Sequence, residues 1–312
     1  MTPFSPTEAA FSGFGFIKRR PGVVLIWALV SLVYDVATVS LIIAFFPRAL
    51  ATVQKFNQMG ATDAEQVMAV LPTVMLMGLL RALTQLVIIS VVMSAAYRAQ
   101  LHPERRSLGY MRLGRDELHM GGLVLLLAAL GLGYAFVLLF SYTTLALLGE
   151  NLPDTIKLIY NLVLLLVAAA AFFYPTVRLS LAAPMTLEQN HVRLLESWKP
   201  TRGHVRRLTG AYLLAALFAF VLFLITWVLV LIVAVLVLMA TGHPLTTLKL
   251  LFARDTTSIT AFLAPLSLLG AVLNAGGAAV SLALLTAPVA QAYRALAPRT
   301  PPEPAPAAPA HG

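Results

Sequence analysis

The chain has 312 residues, 59% of them hydrophobic and only 11% charged, with a mean hydropathy of +0.85 and a net charge of +9. Roughly a quarter of the residues in a soluble domain are charged, so an ordinary soluble fold is excluded, and six long apolar runs leave no room for a large soluble catalytic domain. The absence of cysteine also excludes disulfides, thiolate metal sites and a cysteine nucleophile.

The first apolar run, Gly22 to Phe46, follows Lys18, Arg19 and Arg20 and carries Asp35 in its middle. Signal-peptide cores span about 7 to 15 residues, so the longer run here predicts a retained membrane helix. The other runs are Pro72 to Tyr97, Met120 to Leu148, Thr155 to Val177, Leu208 to Ala240 and Ile259 to Ala292. Each can cross a hydrocarbon core about 30 Å thick. Pro72 and Pro265 are expected to mark bends or first turns of the second and sixth helices. The predicted class is all-α, a polytopic membrane protein. Residues 1–297 form its six-helix transmembrane domain, and the Pro/Ala-rich stretch 298–312 is a tail too proline-broken to pack and expected to be disordered.

An even number of crossings puts both termini on one side. The segments on that side (1–21, 98–119, 178–207 and 293–312) carry sixteen Lys and Arg, against five on the other: Arg48, Lys55, Lys157, Lys249 and Arg254. The positive-inside rule then predicts cytoplasmic termini. The excess basic charge has anionic lipid headgroups of the bilayer as its expected partner. Nucleic acid is not expected, because no stacking aromatics are interleaved with the basic residues.

Three helices leave the membrane on the basic side through related sequences: Ala96-Tyr97-Arg98-Ala99, Tyr174-Pro175-Thr176-Val177-Arg178 and Ala292-Tyr293-Arg294-Ala295. Each odd helix is approached through a basic, glycine-containing segment. The pattern predicts three hairpins as parallel repeats about an axis normal to the membrane. Two capping boxes, Ser5-Pro6-Thr7-Glu8 and Thr186-Leu187-Glu188-Gln189, predict interfacial helices. In the second, Leu187, His191, Leu194, Leu195 and Trp198 fall on one helical stripe.

The stretch from Arg178 through Ser180, Ala182 and Ala183 to Pro184, followed by Ser197-Trp198-Lys199-Pro200-Thr201-Arg202-Gly203, resembles a pattern of arginine, small residues and proline, then Ser-Trp-x-x-Thr-x-Gly. That pattern is found in the membrane domain associated with some bacterial glycerophosphoryl diester phosphodiesterases and in related six-helix inner-membrane proteins. The resemblance spans residues 178–203. It implies that fold and a bacterial inner membrane, but not the hydrolase activity, which belongs to a separate soluble domain.

No catalytic constellation is legible. The six histidines (His102, His119, His191, His204, His243, His311) include no pair at i, i+3 or i+4, so no helical metal pair is expected. Asp116 and Glu117 are adjacent, about 100° apart on a helix, and are not expected to share one substrate; they suit the start of the third helix. No cofactor and no metal are expected. Within the membrane the informative polar residues are Asp35, Arg81, Gln85 and Asn274. Asp35 lies 13 residues above Gly22 and Arg81 16 above Tyr97, or ~20 and ~24 Å, so an ion pair between antiparallel neighbours is predicted, with Gln85 one turn away. Asn274 suits an interhelical hydrogen bond. Ala271, Ala275, Ala279, Ala283 and Ala287 recur every four residues, a ridge for close helix packing. The functional expectation is a non-enzymatic membrane scaffold or envelope-maintenance module. Its rival is a permease for a small molecule or lipid using a polar path at Asp35 and Arg81. Protein partners are not readable.

Overall fold

The computed structural model describes residues 5–47, 50, 64–104, 108–112, 114–242, 244–248 and 258–296. The 298–312 tail and the loop cations Arg48, Lys55, Lys249 and Arg254 lie outside the described residues. Among the described residues every regular element is helical and none is a strand. The helices are α1 (Pro6–Arg19), α2 (Pro21–Phe45), α3 (Ala64–Leu101), α4 (Arg115–Leu148), α5 (Asp154–Leu179), α6 (Ala182–Gln189), α7 (Trp198–Thr201), α8 (Val205–Thr241), α9 (Ile259–Phe262) and α10 (Pro265–Leu296). Six of them, α2, α3, α4, α5, α8 and α10, are long and apolar enough to cross a membrane, which makes the chain a multi-pass membrane protein.

Local chemistry sets the helix ends. Ser5 caps α1, its Oγ accepting from the Glu8 N–H at 3.5 Å. Pro21 disfavours helical geometry at Arg20, so α1 stops there and α2 starts with proline in its first turn. Pro265 opens α10 in the same way. Pro72 is not the first turn of the second helix: α3 runs through it from Ala64, extending the helix beyond the apolar run.

The spans form a ring in which α2, α3, α4, α5, α8 and α10 each touch the next, and α10 also touches α3. That cross-contact divides the ring into a tight α2–α3–α10 triangle and a looser five-helix ring (α3, α4, α5, α8, α10) with α6 packed against α3, α4 and α10. In α10 33% of the most apolar window is buried, against 0% to 11% in the other spans. Ala271, Ala275, Ala279, Ala283 and Ala287 are all buried. Alanine at these positions lets neighbouring backbones approach closely. Gly13 of α1 shows the same economy: a Cβ there would lie 2.7 Å from Leu284 Cα, so α1 rests almost directly on the α10 backbone. Most of the buried core sits at the end of the bundle that carries α1 and the end of α10 (the terminal face), in clusters around Trp27, Ala95 and Ala283 and around Met120, Leu181 and Leu208.

Ala279 is 2% exposed, while Val272 on the same helix is 45% exposed. Ala279→Leu should therefore overpack the triangle and cost about 1–3 kcal/mol, read as a lower melting temperature in mild detergent, while Val272→Leu should leave melting unchanged. Equal melting of the two variants would remove α10 from the centre of the packing.

The second expected amphipathic helix is not formed. Thr186-Leu187-Glu188-Gln189 does not start a helix but ends α6, because Asn190 adopts a left-handed conformation (φ 53°) and breaks the helix. Thr186 Oγ1 accepts from the Arg193 N–H at 3.1 Å, closing a tight turn. Leu187, His191, Leu194, Leu195 and Trp198 consequently do not share one helical face.

Candidate functional site

The polar chemistry of the described residues gathers at the terminal face, where three exit arginines each fasten one helix to another segment. Arg98, in the last turn of α3, places Nη2 3.0 Å from Asp116 Oδ2 and 2.6 Å from Glu117 Oε1. Its Nη1 donates to the Tyr110 carbonyl at 3.3 Å. The adjacent carboxylates, expected to diverge, therefore converge on one cation, because the guanidinium sits across the first turn of α4 within reach of both. Acidic groups at that helix start also complement its dipole.

Arg178 lies in the last turn of α5. Its Nη1 donates to the Trp198 carbonyl at 3.2 Å and to Thr201 Oγ1 at 3.4 Å, and its guanidinium lies 4.8 Å from the Trp198 ring centroid. Ser197 Oγ donates to the Arg178 carbonyl at 3.1 Å. The Ser-Trp-x-x-Thr-x-Gly stretch is thus a clasp closing on Arg178, and Gly203, with φ at 83°, occupies a left-handed position suited to glycine. Arg294 in the last turn of α10 donates to the carbonyls of Gln100 and, at 3.0 Å, Leu101, capping the end of α3.

A fourth fastening was not legible beforehand. Gly109 and Tyr110 both have φ near 59°, which turns the linker between α3 and α4 back under α2. There the fully buried Trp27 donates through Nε1 to the Gly109 carbonyl at 2.8 Å, and Arg20 bonds the Tyr110 hydroxyl and the Pro103 carbonyl. A Cβ on Gly109 would lie 2.7 Å from Ile26 Cγ2. Glycine was the available signal, but its partner is 82 positions away along the chain.

Between the spans of the five-helix ring lies a half-open chamber of about 630 Å³, lined by Met93, Leu127, Leu130, Phe172, Leu285 and Val289, with hydroxyls from Tyr97, Tyr134, Thr176, Ser180 and Tyr212. Four of these hydroxyls bond within the protein: Tyr212 and Ser180 with each other at 2.8 Å, Thr176 to the Phe172 carbonyl and Tyr134 to the Ala171 carbonyl, both at 2.9 Å. The last has a simple cause. Pro175 has no N–H, so Ala171 loses its helical donor, and Tyr134 on α4 supplies a replacement that ties α4 to α5.

The intramembrane polar residues lie elsewhere. Asp35 is half-buried on α2, and Arg81, Gln85 and Asn274 are exposed on α3 and α10. Tyr34 donates to Thr84 at 3.0 Å, which places Asp35 at the depth of Arg81 and Gln85 on the neighbouring helix. Asn274 makes no hydrogen bond with another described residue and points away from the buried alanines. None of the four lines the chamber. His119 and His191 approach with ring centroids 6.4 Å apart; among the described residues no three His, Asp or Glu side chains are grouped to hold a metal. Comparison with protein-family models, curated proteins and solved structures returns no match.

Proposed function

We propose that the chain is a non-enzymatic scaffold or envelope-maintenance protein of a bacterial inner membrane, with both termini cytoplasmic. Its spans are three parallel-repeat hairpins, related to the membrane domain that accompanies some glycerophosphoryl diester phosphodiesterases. One observation carries the reading: Arg98, Arg178 and Arg294 at the terminal face fasten helices to other segments of the chain, and Asp35, Arg81, Gln85 and Asn274 do not line the chamber. The equivalent placement of Arg98, Arg178 and Arg294 at the ends of α3, α5 and α10 supports the repeat, and the sixteen-to-five distribution of basic residues supports the orientation.

A permease is the second reading, favoured by the chamber. Because that chamber is apolar, its solute would be a lipid and not a polar metabolite, and the path would bypass Asp35 and Arg81. Complementation of a deletion strain, with lipids and metabolites profiled against the parent, separates the two. The scaffold predicts altered envelope lipids that variants filling the chamber, such as Ala215→Phe, still correct. A lipid permease predicts that a folded Ala215→Phe variant does not.

Orientation is tested by reporter fusions. Those after Asn57, Asn151 and Lys249 should report the outside, and those after Leu108, Leu195 and Pro301 the cytoplasm. An odd number of crossings would end the proposal.

A further inference from the structure

We propose that a pocket between α1 and the ends of α3 and α10 binds the phosphodiester headgroup of an anionic glycerophospholipid. The inference depends on the multi-pass membrane character alone and holds for a scaffold or a permease. The pocket measures about 510 Å³. Its depth suits a headgroup: Arg19 lies two residues before Pro21, where α2 begins, and Arg294 two before Leu296, where α10 ends. Both therefore sit where a bilayer gives way to water.

Charge selects the ligand. Arg19, Arg20 and Arg294 line the pocket against a single acid, Glu8. Elsewhere on the terminal face Arg98 is neutralised by Asp116 and Glu117 and Arg193 by Glu196, while Arg178, held by neutral groups, lies outside the pocket. Among the described residues Arg20 and Arg294 bond only neutral oxygens, the Tyr110 hydroxyl and the carbonyls of Pro103, Gln100 and Leu101, which orients them and leaves their charge intact. Arg19 is exposed and makes no hydrogen bond or ion pair with another described residue. Two oriented guanidiniums and one unspent one match the several acceptor oxygens of a phosphodiester. Basic pockets between membrane helices are a recurrent arrangement for such headgroups.

The pocket also continues into an apolar ledge, which distinguishes a lipid from free phosphate. Phe11 lines its edge and is 54% exposed. Its ring lies 4.8 Å from Phe218 of α8, and Phe14 lies 5.4 Å from the same ring. A headgroup among the arginines would lay its acyl chains along these rings. The site is preformed, because Gly13 seats α1 on α10 beside it.

The test uses the full chain, delipidated in mild detergent, with binding of short-chain phosphatidylglycerol, phosphatidylethanolamine, phosphatidylcholine and glycerol phosphate measured by native mass spectrometry and by thermal shift. Phosphatidylglycerol should bind saturably and raise the melting temperature. Arg19→Gln, which removes no hydrogen bond or ion pair with a described residue, should weaken that binding by about tenfold, the loss of one charge-assisted contact, without changing the melting of the lipid-free protein. Arg294→Gln should weaken it as well. Lys199→Gln, an exposed cation of the same face outside the pocket, should change nothing. The proposal is overturned if either zwitterionic lipid binds as tightly as phosphatidylglycerol, if Arg19→Gln binds as the parent does, or if Lys199→Gln weakens binding equally, which would reduce the effect to general surface charge. Glycerol phosphate binding as tightly as the lipid would assign the pocket to a free phosphate and overturn the lipid assignment.

Discussion

Arg98→Ala is expected to destabilise the protein by about 3–5 kcal/mol, the usual cost of leaving one member of a buried ion pair without its partner. Glu117 is the reason. Its side chain is 7% exposed, against 37% for Asp116, so Asp116 can turn to water when the guanidinium is removed and Glu117 cannot. Among the described residues neither Glu117 oxygen has a hydrogen-bond donor beyond the ion pair, so none of them offsets the desolvated charge. The double variant Arg98→Leu with Glu117→Leu removes both charges and should recover most of the loss, since apolar replacement of a buried pair is often close to neutral. Thermal melting of parent, single and double variants in mild detergent checks this. Additive losses would mean that Arg98 and Glu117 do not interact.

The spans were legible because hydropathy over some 20 residues is a local signal that no tertiary contact can disguise. Helix ends were readable where a cap or proline sits at the boundary, as at Ser5 and Pro265. They were misread where the chain reverses within a helical pattern. Leu187 to Trp198 has the spacing of an amphipathic helix, but Asn190 turns left-handed because Thr186 can hold the Arg193 N–H across the break. Nothing in the spacing of apolar residues records that hydrogen bond.

The arginine motifs were visible as repeated residues and opaque as chemistry. Tyr-Arg at a helix end is also what any membrane helix favours at a basic boundary. Only the folded chain brings Arg98 to carboxylates 18 and 19 positions later, or sets Arg294 against carbonyls some 190 positions earlier. The carboxylate pair illustrates the point. A 100° divergence on one helix forbids two groups from facing the same way, yet a guanidinium lying across the first turn is within reach of both. The chamber was invisible for a related reason: its wall residues come from five spans, each of which reads by itself as lipid-facing leucine and phenylalanine.

Arg178→Ala should have the second-largest effect, because Arg178 unites the end of α5 with α7 without an acidic partner. Among the described residues no carboxylate lies within ion-pair distance, so its charge rests on neutral groups: the Trp198 carbonyl, Thr201 Oγ1 and the face of the Trp198 ring. Hydrogen bonds to a charged group are worth about 1.5–3 kcal/mol, and a partly desolvated cation–π contact about 0.5–2 kcal/mol. These overlap, so a loss of about 3 kcal/mol is expected in detergent melting. Arg178→Lys discriminates the cause. A lysine keeps the charge but has neither the planar fork nor the stacking face, so it should restore less than half of the loss. Trp198→Phe, which keeps an aromatic face and the backbone carbonyl, should cost about 1 kcal/mol, the weaker attraction of the smaller ring for the cation. If Arg178→Lys melted with the parent, charge alone would hold the end of α5. The Ser-Trp-x-x-Thr-x-Gly stretch would then need another explanation than a clasp built around a guanidinium.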